Sequence, residues 1–184
     1  MHASLADILS DLVQNSIEAG ATFVQVELTE EDSQVFFRIQ DNGCGMDEET
    51  LRRAEDPFWS DGKKHPGRRV GLGIPFLRQT AEQCEGQVEI HSVLGKGTEV
   101  KAQWPQNHLD APPLGDIVLL WVLCLTFEGG YGMNIRRTRQ GGQGTSQSYA
   151  IDRVEVSEAL GGLDDAGALG LLREYITSLE EEIG

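Results

Sequence analysis

Asp41-Asn42-Gly43-Cys44-Gly45-Met46 is the stretch on which the reading of this chain turns. It follows directly on Val35-Phe36-Phe37-Arg38-Ile39-Gln40, whose alternation of apolar and polar residues predicts a half-buried strand. Taken singly, an Asp at a strand end reads as a turn former and a Gly-x-Gly as an ordinary turn. A second glycine pair adds weight to the first. Gly71-Leu72-Gly73-Ile74 follows Arg68-Arg69-Val70 and precedes a helical pattern, so its backbone is suited to approach an anion at a helix start.

Upstream, Leu5, Ile8, Leu9, Leu12, Val13 and Ser16 form one stripe at helical spacing over residues 4–19, with Asp7, Asp11, Gln14, Asn15 and Glu18 on another face and Gly20 as the stop. A strand is predicted at 22–28, an acidic turn at 29–33 and a second strand at 35–40, which gives a helix followed by a hairpin. Downstream, Asp47 is the expected N-cap of a short helix reaching Ala54. Residues 55–70 have low regular propensity and gather Lys63, Lys64, Arg68 and Arg69 in an otherwise acidic chain. Helical periodicity returns over 71–84, with Ile74, Leu77, Ala81 and Cys84 facing inward. Strands at 87–91 and 98–104 then flank the turn Gly95-Lys96-Gly97.

Pro, Asn and Asp accumulate over 105–113, which divides the chain into residues 1–105 and an extension, 106–184. For the extension the pattern predicts a helix over 114–127, a hairpin of 133–139 with 148–156, a mobile Gly-rich loop at 140–145, and helices after Ser157 and Asp164.

With 39% hydrophobic and 24% charged residues, the chain has the composition of a soluble globular protein. Its net charge of −15 argues against nucleic acid or an anionic membrane as a general partner, since both need phosphate neutralisation by Lys and Arg. Cys44, Cys84 and Cys124 are too far apart for a sequence-local metal site. Met1-His2-Ala3-Ser4 leads straight into an amphipathic pattern, and the longest apolar run, 117–127, is too short to span a bilayer. A cytoplasmic protein is expected.

A helix bearing Asn15, a strand end bearing Asp41, a basic segment, Gly71-x-Gly73 and a late Gly97-Thr98 occur in an order that resembles the GHKL superfamily. These are the histidine kinase-like ATPases of Bergerat fold, among them gyrases, heat-shock chaperones, histidine kinases and MutL. Asp11-Leu12-Val13-Gln14-Asn15-Ser16-Ile17-Glu18-Ala19-Gly20 resembles the MutL N-box, and Asp41 to Met46 the G1 box. Pro57-Phe58-Trp59, Gly71-Leu72-Gly73-Ile74 and Gly95-Lys96-Gly97-Thr98 are similar to the later boxes of histidine kinases.

The resemblance implies a two-layer α/β sandwich, a mixed sheet with helices on one face, plus a C-terminal α+β extension. It also implies ATP and Mg²⁺ as ligands. Asn15 would hold Mg²⁺ through its amide oxygen, a hard ligand for a hard ion. Asp41 would accept from the adenine amino group, Gly43, Gly45 and Met46 would flank the base, and Thr98 would complete the adenine side. Gly71 and Gly73 would lie beside the phosphates, Glu18, Leu72 and Ile74 would also belong to the nucleotide site, Phe58 would sit on a lid, and Lys63, Lys64, Arg68 and Arg69 would reach the β- and γ-phosphates.

Asp11 stands where the hydrolases of the superfamily carry a Glu as general base. One methylene shorter, it implies slow hydrolysis. No His of the chain lies in a phosphoacceptor helix, so a kinase activity would have to act on a separate protein. Anti-sigma serine kinases and non-catalytic ATP sensors are the alternative readings. Asn107-His108-Leu109-Asp110-Ala111-Pro112-Pro113-Leu114-Gly115-Asp116 resembles small stand-alone ATP-binding proteins encoded beside bacterial iron-only hydrogenases. That implies a regulator or assembly factor with a co-encoded redox or regulatory protein as partner. The apolar 117–127 segment allows a homodimer or partner surface.

Overall fold

The structure is a computed structural model that describes residues 4–56, 73–141 and 145–184. Helix α1 (Leu5–Glu18) starts where Ser4 and Asp7 cap each other: the Asp7 N–H donates to Ser4 Oγ at 3.2 Å and the Ser4 N–H to Asp7 Oδ2 at 2.8 Å. The Ser4 hydroxyl, donating to Asp7 Oδ2 at 2.7 Å, and then the Ser4 N–H hold the Asp7 carboxyl below its usual range. The predicted stripe is the buried one, Ser16 included.

The hairpin of β1 (Phe23–Glu30) and β2 (Gln34–Asp41) follows, then α2 (Glu48–Ala54) behind its Asp47 cap. Next come α3 (Gly73–Gln83) and the hairpin of β3 (Gln87–Val93) and β4 (Gly97–Pro105). The extension supplies α4 (Ile117–Thr126), β5 (Gly132–Gly141), β6 (Thr145–Asp152), α5 (Arg153–Leu160) and α6 (Ala166–Glu182).

All six strands form one mixed sheet in the order β3-β4-β2-β1-β5-β6, with β1 and β5 parallel and every other neighbour antiparallel. Its register puts Ile90, Val100, Ile39, Val26, Ile135 and Ile151 side by side, a buried row of β-branched residues crossing every strand. Branched side chains fit a pleated surface well, so this row ties the extension into the core of the first 105 residues. The alternate residues face the other way, where Arg38 pairs with Glu99 at 2.7 Å and Glu27 at 3.6 Å, and Lys101 with Glu99 at 3.0 Å. Lys101 and Arg38 hold the Glu99 carboxyl below its usual range. The covering helices pack α3 and α4 against α1, and α6 against α4 and α5.

Two boundaries in the extension differ from expectation. The helix predicted over 114–127 begins at Ile117, because Gly115 takes a positive φ of 84° and Asp116 caps Leu119 N–H at 2.8 Å. The strand predicted over 148–156 instead runs Thr145–Asp152. Asp152 Oδ1 accepts from Val154 N–H and Glu155 N–H, so α5 starts at Arg153, ahead of the expected helix after Ser157. Of the Gly-rich 140–145 segment, Gln140 and Gly141 belong to β5 and Thr145 to β6, and 142–144 lie outside the described residues.

In the next core row, Ala102, Phe37 and Leu28 are followed by Arg137, which is 1% exposed. A lone buried guanidinium would be costly; here it pairs with Glu30, donates to Thr138 O at 3.1 Å, and lies 3.5 Å from Glu180. Glu180 also accepts from the Tyr149 hydroxyl, which in turn accepts from Trp121 Nε1–H at 2.9 Å. Burial and the Glu180 carboxylate push the Tyr149 phenol far up. Removing Arg137 leaves Glu30 and Glu180 without it, so Arg137→Ala is expected to cost about 3–5 kcal/mol in urea unfolding. A loss below about 1 kcal/mol would contradict this account of the junction.

Candidate functional site

The site is built on one face of α1 and on the end of β2. Asp41 closes β2 with its carboxylate turned inward, where three donors meet it. Ser16 Oγ–H donates to Oδ2 at 2.8 Å, while Gly43 N–H and Thr98 N–H donate to Oδ1 at 2.8 Å and 3.2 Å. A carboxylate has about four acceptor positions. Three are filled, so Oδ2 keeps one, and Asp41 is held in a fixed orientation with room for one more donor.

The loop after Asp41 is fastened on both sides. Asn42 Oδ1 accepts from Thr22 N–H and Phe23 N–H, both at 2.9 Å, Cys44 N–H donates to Ala19 O, and Cys44 O accepts from Gly95 N–H. Its glycines are required by contact. A Cβ on Gly45 would stand 2.0 Å from Val93 O, and one on Gly97 would stand 2.0 Å from Asp41 O, with φ positive at both. Ser92 joins the parts: its Oγ accepts from Met46 N–H at 2.8 Å and lies 2.8 Å from Thr98 Oγ1, its cross-strand partner.

One turn earlier on α1 lies the second part. The Asp11 carboxylate accepts from Gly73 N–H, at the start of α3, and from the Asn15 side chain. Desolvation, opposed by the Gly73 hydrogen bond and reinforced by Glu18, raises its carboxyl above the usual range. A negative group at that helix start is favoured by the α3 dipole. Asn15, beside Asp11 and one turn further along the same face of α1, carries an amide oxygen of the kind a hard cation takes. Gly73 is buried against this carboxylate, since a Cβ there would stand 2.4 Å from Asp11 Oδ2.

The expected residues thus fall into two clusters bridged by α1. Asp41, Gly43, Gly45, Met46 and Thr98 form one, and Asp11, Asn15 and Gly73 the other. Ile74 is half-buried against the core, and Glu18 is exposed and accepts from Gln14 Nε2–H at 3.0 Å. Phe58, Lys63, Lys64, Arg68, Arg69, Gly71 and Leu72 lie outside the described residues. The stretches flanking them are linked by an ion pair of Arg78 on α3 with Glu55 after α2.

Ser16 and Ser92 belong to the site without being marked as such by the sequence pattern. Ser16 lies in the buried stripe of α1 and reads as core, although a hydroxyl there needs a partner. Nothing local marks Ser92, whose role depends on the pairing of β3 with β4.

Residues 2–108 match the family described as histidine kinase-, DNA gyrase B- and HSP90-like ATPase. The chain is 29% identical over 107 residues to the sensor histidine kinase SpaK of Bacillus subtilis, covering 57% of this chain and 23% of that protein. It is 30% identical over 98 residues to sporulation kinase E of Bacillus subtilis (strain 168), covering 51% and 13%. The chain therefore spans less than a quarter of either kinase. Among solved structures, the N-terminal domain of a DNA repair protein superposes with a TM-score of 0.50 at 13% identity, over 90% of this chain and 58% of that one.

The close packing of Gly97 against the Asp41 backbone makes a graded prediction. Gly95 also has a positive φ but nothing within 4 Å of a Cβ, so Gly95→Ala bears only the conformational cost, about 1–2 kcal/mol. Gly97→Ala must also displace backbone, and its loss in chemical denaturation should exceed that of Gly95→Ala by about 1 kcal/mol or more. Equal losses would contradict the packing.

Proposed function

The chain belongs to the histidine kinase-, DNA gyrase B- and HSP90-like ATPase family, and from that premise we propose that it binds Mg-ATP and uses it in slow hydrolysis or in phosphoryl transfer to a separate protein. The observation that carries this reading is the three-donor setting of Asp41, with one acceptor position left on Oδ2 for the adenine amino group. Guanine presents an oxygen at the corresponding position, which a carboxylate repels. Gly43, Gly45 and Met46 border the base and Thr98 closes its far side through the hydroxyl shared with Ser92.

Asn15 would hold Mg²⁺, which when bound offsets the charge of the phosphates. At the start of α3 the Gly73 N–H is held by Asp11 and Pro75 has none, so Ile74 would offer its N–H to the phosphates, aided in the sequence by Gly71, Leu72, Lys63, Lys64 and Arg69. Asp11 is the base in this reading. Its raised carboxyl is suited to take a proton from an attacking water, and its short side chain, already engaged by Gly73 and Asn15, supports slow turnover. That same engagement favours a second reading, a sensor that binds ATP without consuming it. A link to an anaerobic hydrogenase or redox system, and to a co-encoded protein partner, rests on the tail sequence from Asn107 to Asp116.

Calorimetric titration with Mg-ATP is expected to give saturable binding that Asp41→Ala abolishes; unchanged binding by that variant would sink the assignment. With labelled ATP, phosphate release lost in Asp11→Asn marks a hydrolase, and label on an added protein marks a kinase. Binding with neither marks the sensor.

A further inference from the structure

Among the described residues the sheet ends at β6, and none of them gives that edge the usual protection. Edge strands present a row of unpaired N–H and C=O groups, which proteins normally guard with charges, Pro, bulges or a covering segment. From Ser146 to Ile151, β6 reads Ser-Gln-Ser-Tyr-Ala-Ile, with no charge, Pro or Gly, in a chain with 45 charged residues among 184 (15 basic and 30 acidic). Its ladder with β5 runs without interruption from Asn134↔Asp152 to Gly141↔Thr145, so no bulge twists the edge away. The opposite edge differs. Strand β3 carries Glu89 and follows Glu82 and Glu85, which repel another acidic chain.

The side chains of β6 leave its backbone open. Ser146, Ser148 and Ala150 are small, exposed and on the face away from the helices. On the other face the longer side chains are tied inward, with Gln147 Nε2–H donating to Glu182 O at 3.2 Å and Tyr149 bound to Trp121 and Glu180. The nearest helix, α5, packs on β5 and β6 and leaves Val154 49% exposed beside them.

We propose that β6 is the dimerisation edge of this protein: a second copy of the chain pairs with it antiparallel about a two-fold axis close to Ser148, making one continuous twelve-stranded sheet. An antiparallel edge is complementary to itself under such an axis, because each outward N–H and C=O finds its counterpart on the partner. Gln147 then faces Tyr149 of the second copy, and Ser146 faces Ala150, so no like charges oppose each other. The two helix layers fall on one side of the joined sheet. A strand edge of roughly 26 Å is a small interface by itself. The dimer is therefore a reversible one, formed in the micromolar range.

Sedimentation over a concentration series tests this. The wild type should move from 20.2 kDa toward twice that mass by roughly 100 µM, while Ser148→Lys and Ser148→Glu stay at the single mass with unchanged far-ultraviolet dichroism and melting. Two charge signs are used because both must block self-pairing about Ser148, whereas a partner of either charge would prefer one. Hydrogen exchange at high and low concentration adds a positional readout, in which the β6 amides gain protection on dimerisation. A monomer throughout the series overturns the proposal, as does a dimer that survives both substitutions or protects α4 instead.

Discussion

A carboxylate placed half inside a protein must be given donors, and the Asp41 carboxylate draws them from three separate elements. Ser16 comes from α1, Gly43 from the loop after β2 and Thr98 from β4. These bonds fix the acid and at the same time fix the relative positions of the helix, the loop and the second hairpin. The glycines at 45 and 97 follow from the same constraint, since the backbones that bring the donors in leave no space for a Cβ. Asp41 is thus both the residue that reads the base in the proposed function and the point at which the local structure converges.

One turn earlier, α1 is held in a comparable way. Asp11 takes a hydrogen bond from the start of α3 and another from Asn15. Because Asp11, Asn15 and Ser16 lie within six residues of one helix, a shift of α1 would be felt by the adenine side and the phosphate side together. α4 packs against α1 on one side and α6 on the other, which connects the extension to that helix. The extension is therefore part of the support of the site, through α4 beneath α1 and through β5 alongside β1.

Much of this was legible in the chain. Apolar residues at helical spacing gave α1, and alternation gave β1 to β4, because those signals come from neighbours in sequence. The glycines at 43, 45 and 97 could be read from their spacing, with the reason for each visible only in contacts from elsewhere. What the sequence hid was long-range. The parallel pairing of β1 with β5 joins residues more than 100 positions apart, and Arg137 sits in a core row because Glu30 and Glu180 meet it from other elements. In the extension, Val154 and Val156 favoured a longer strand, but the two backbone N–H groups capped by Asp152 decided for a helix. Ser16 looked like a stripe residue and Ser92 like a strand residue, and both acquire their roles only when β2, β3 and β4 come together.

The central claim is that the oriented Asp41 carboxylate recognises an exocyclic amino group. Inosine triphosphate tests it most directly, since it keeps the sugar and phosphates of ATP and replaces that amine with an oxygen. Paired calorimetric titrations of the wild type should show ATP binding at least about tenfold more tightly, the equivalent of about 1.4 kcal/mol, with the preference lost in Asp41→Asn. Equal affinity of the wild type for the two nucleotides would contradict the account.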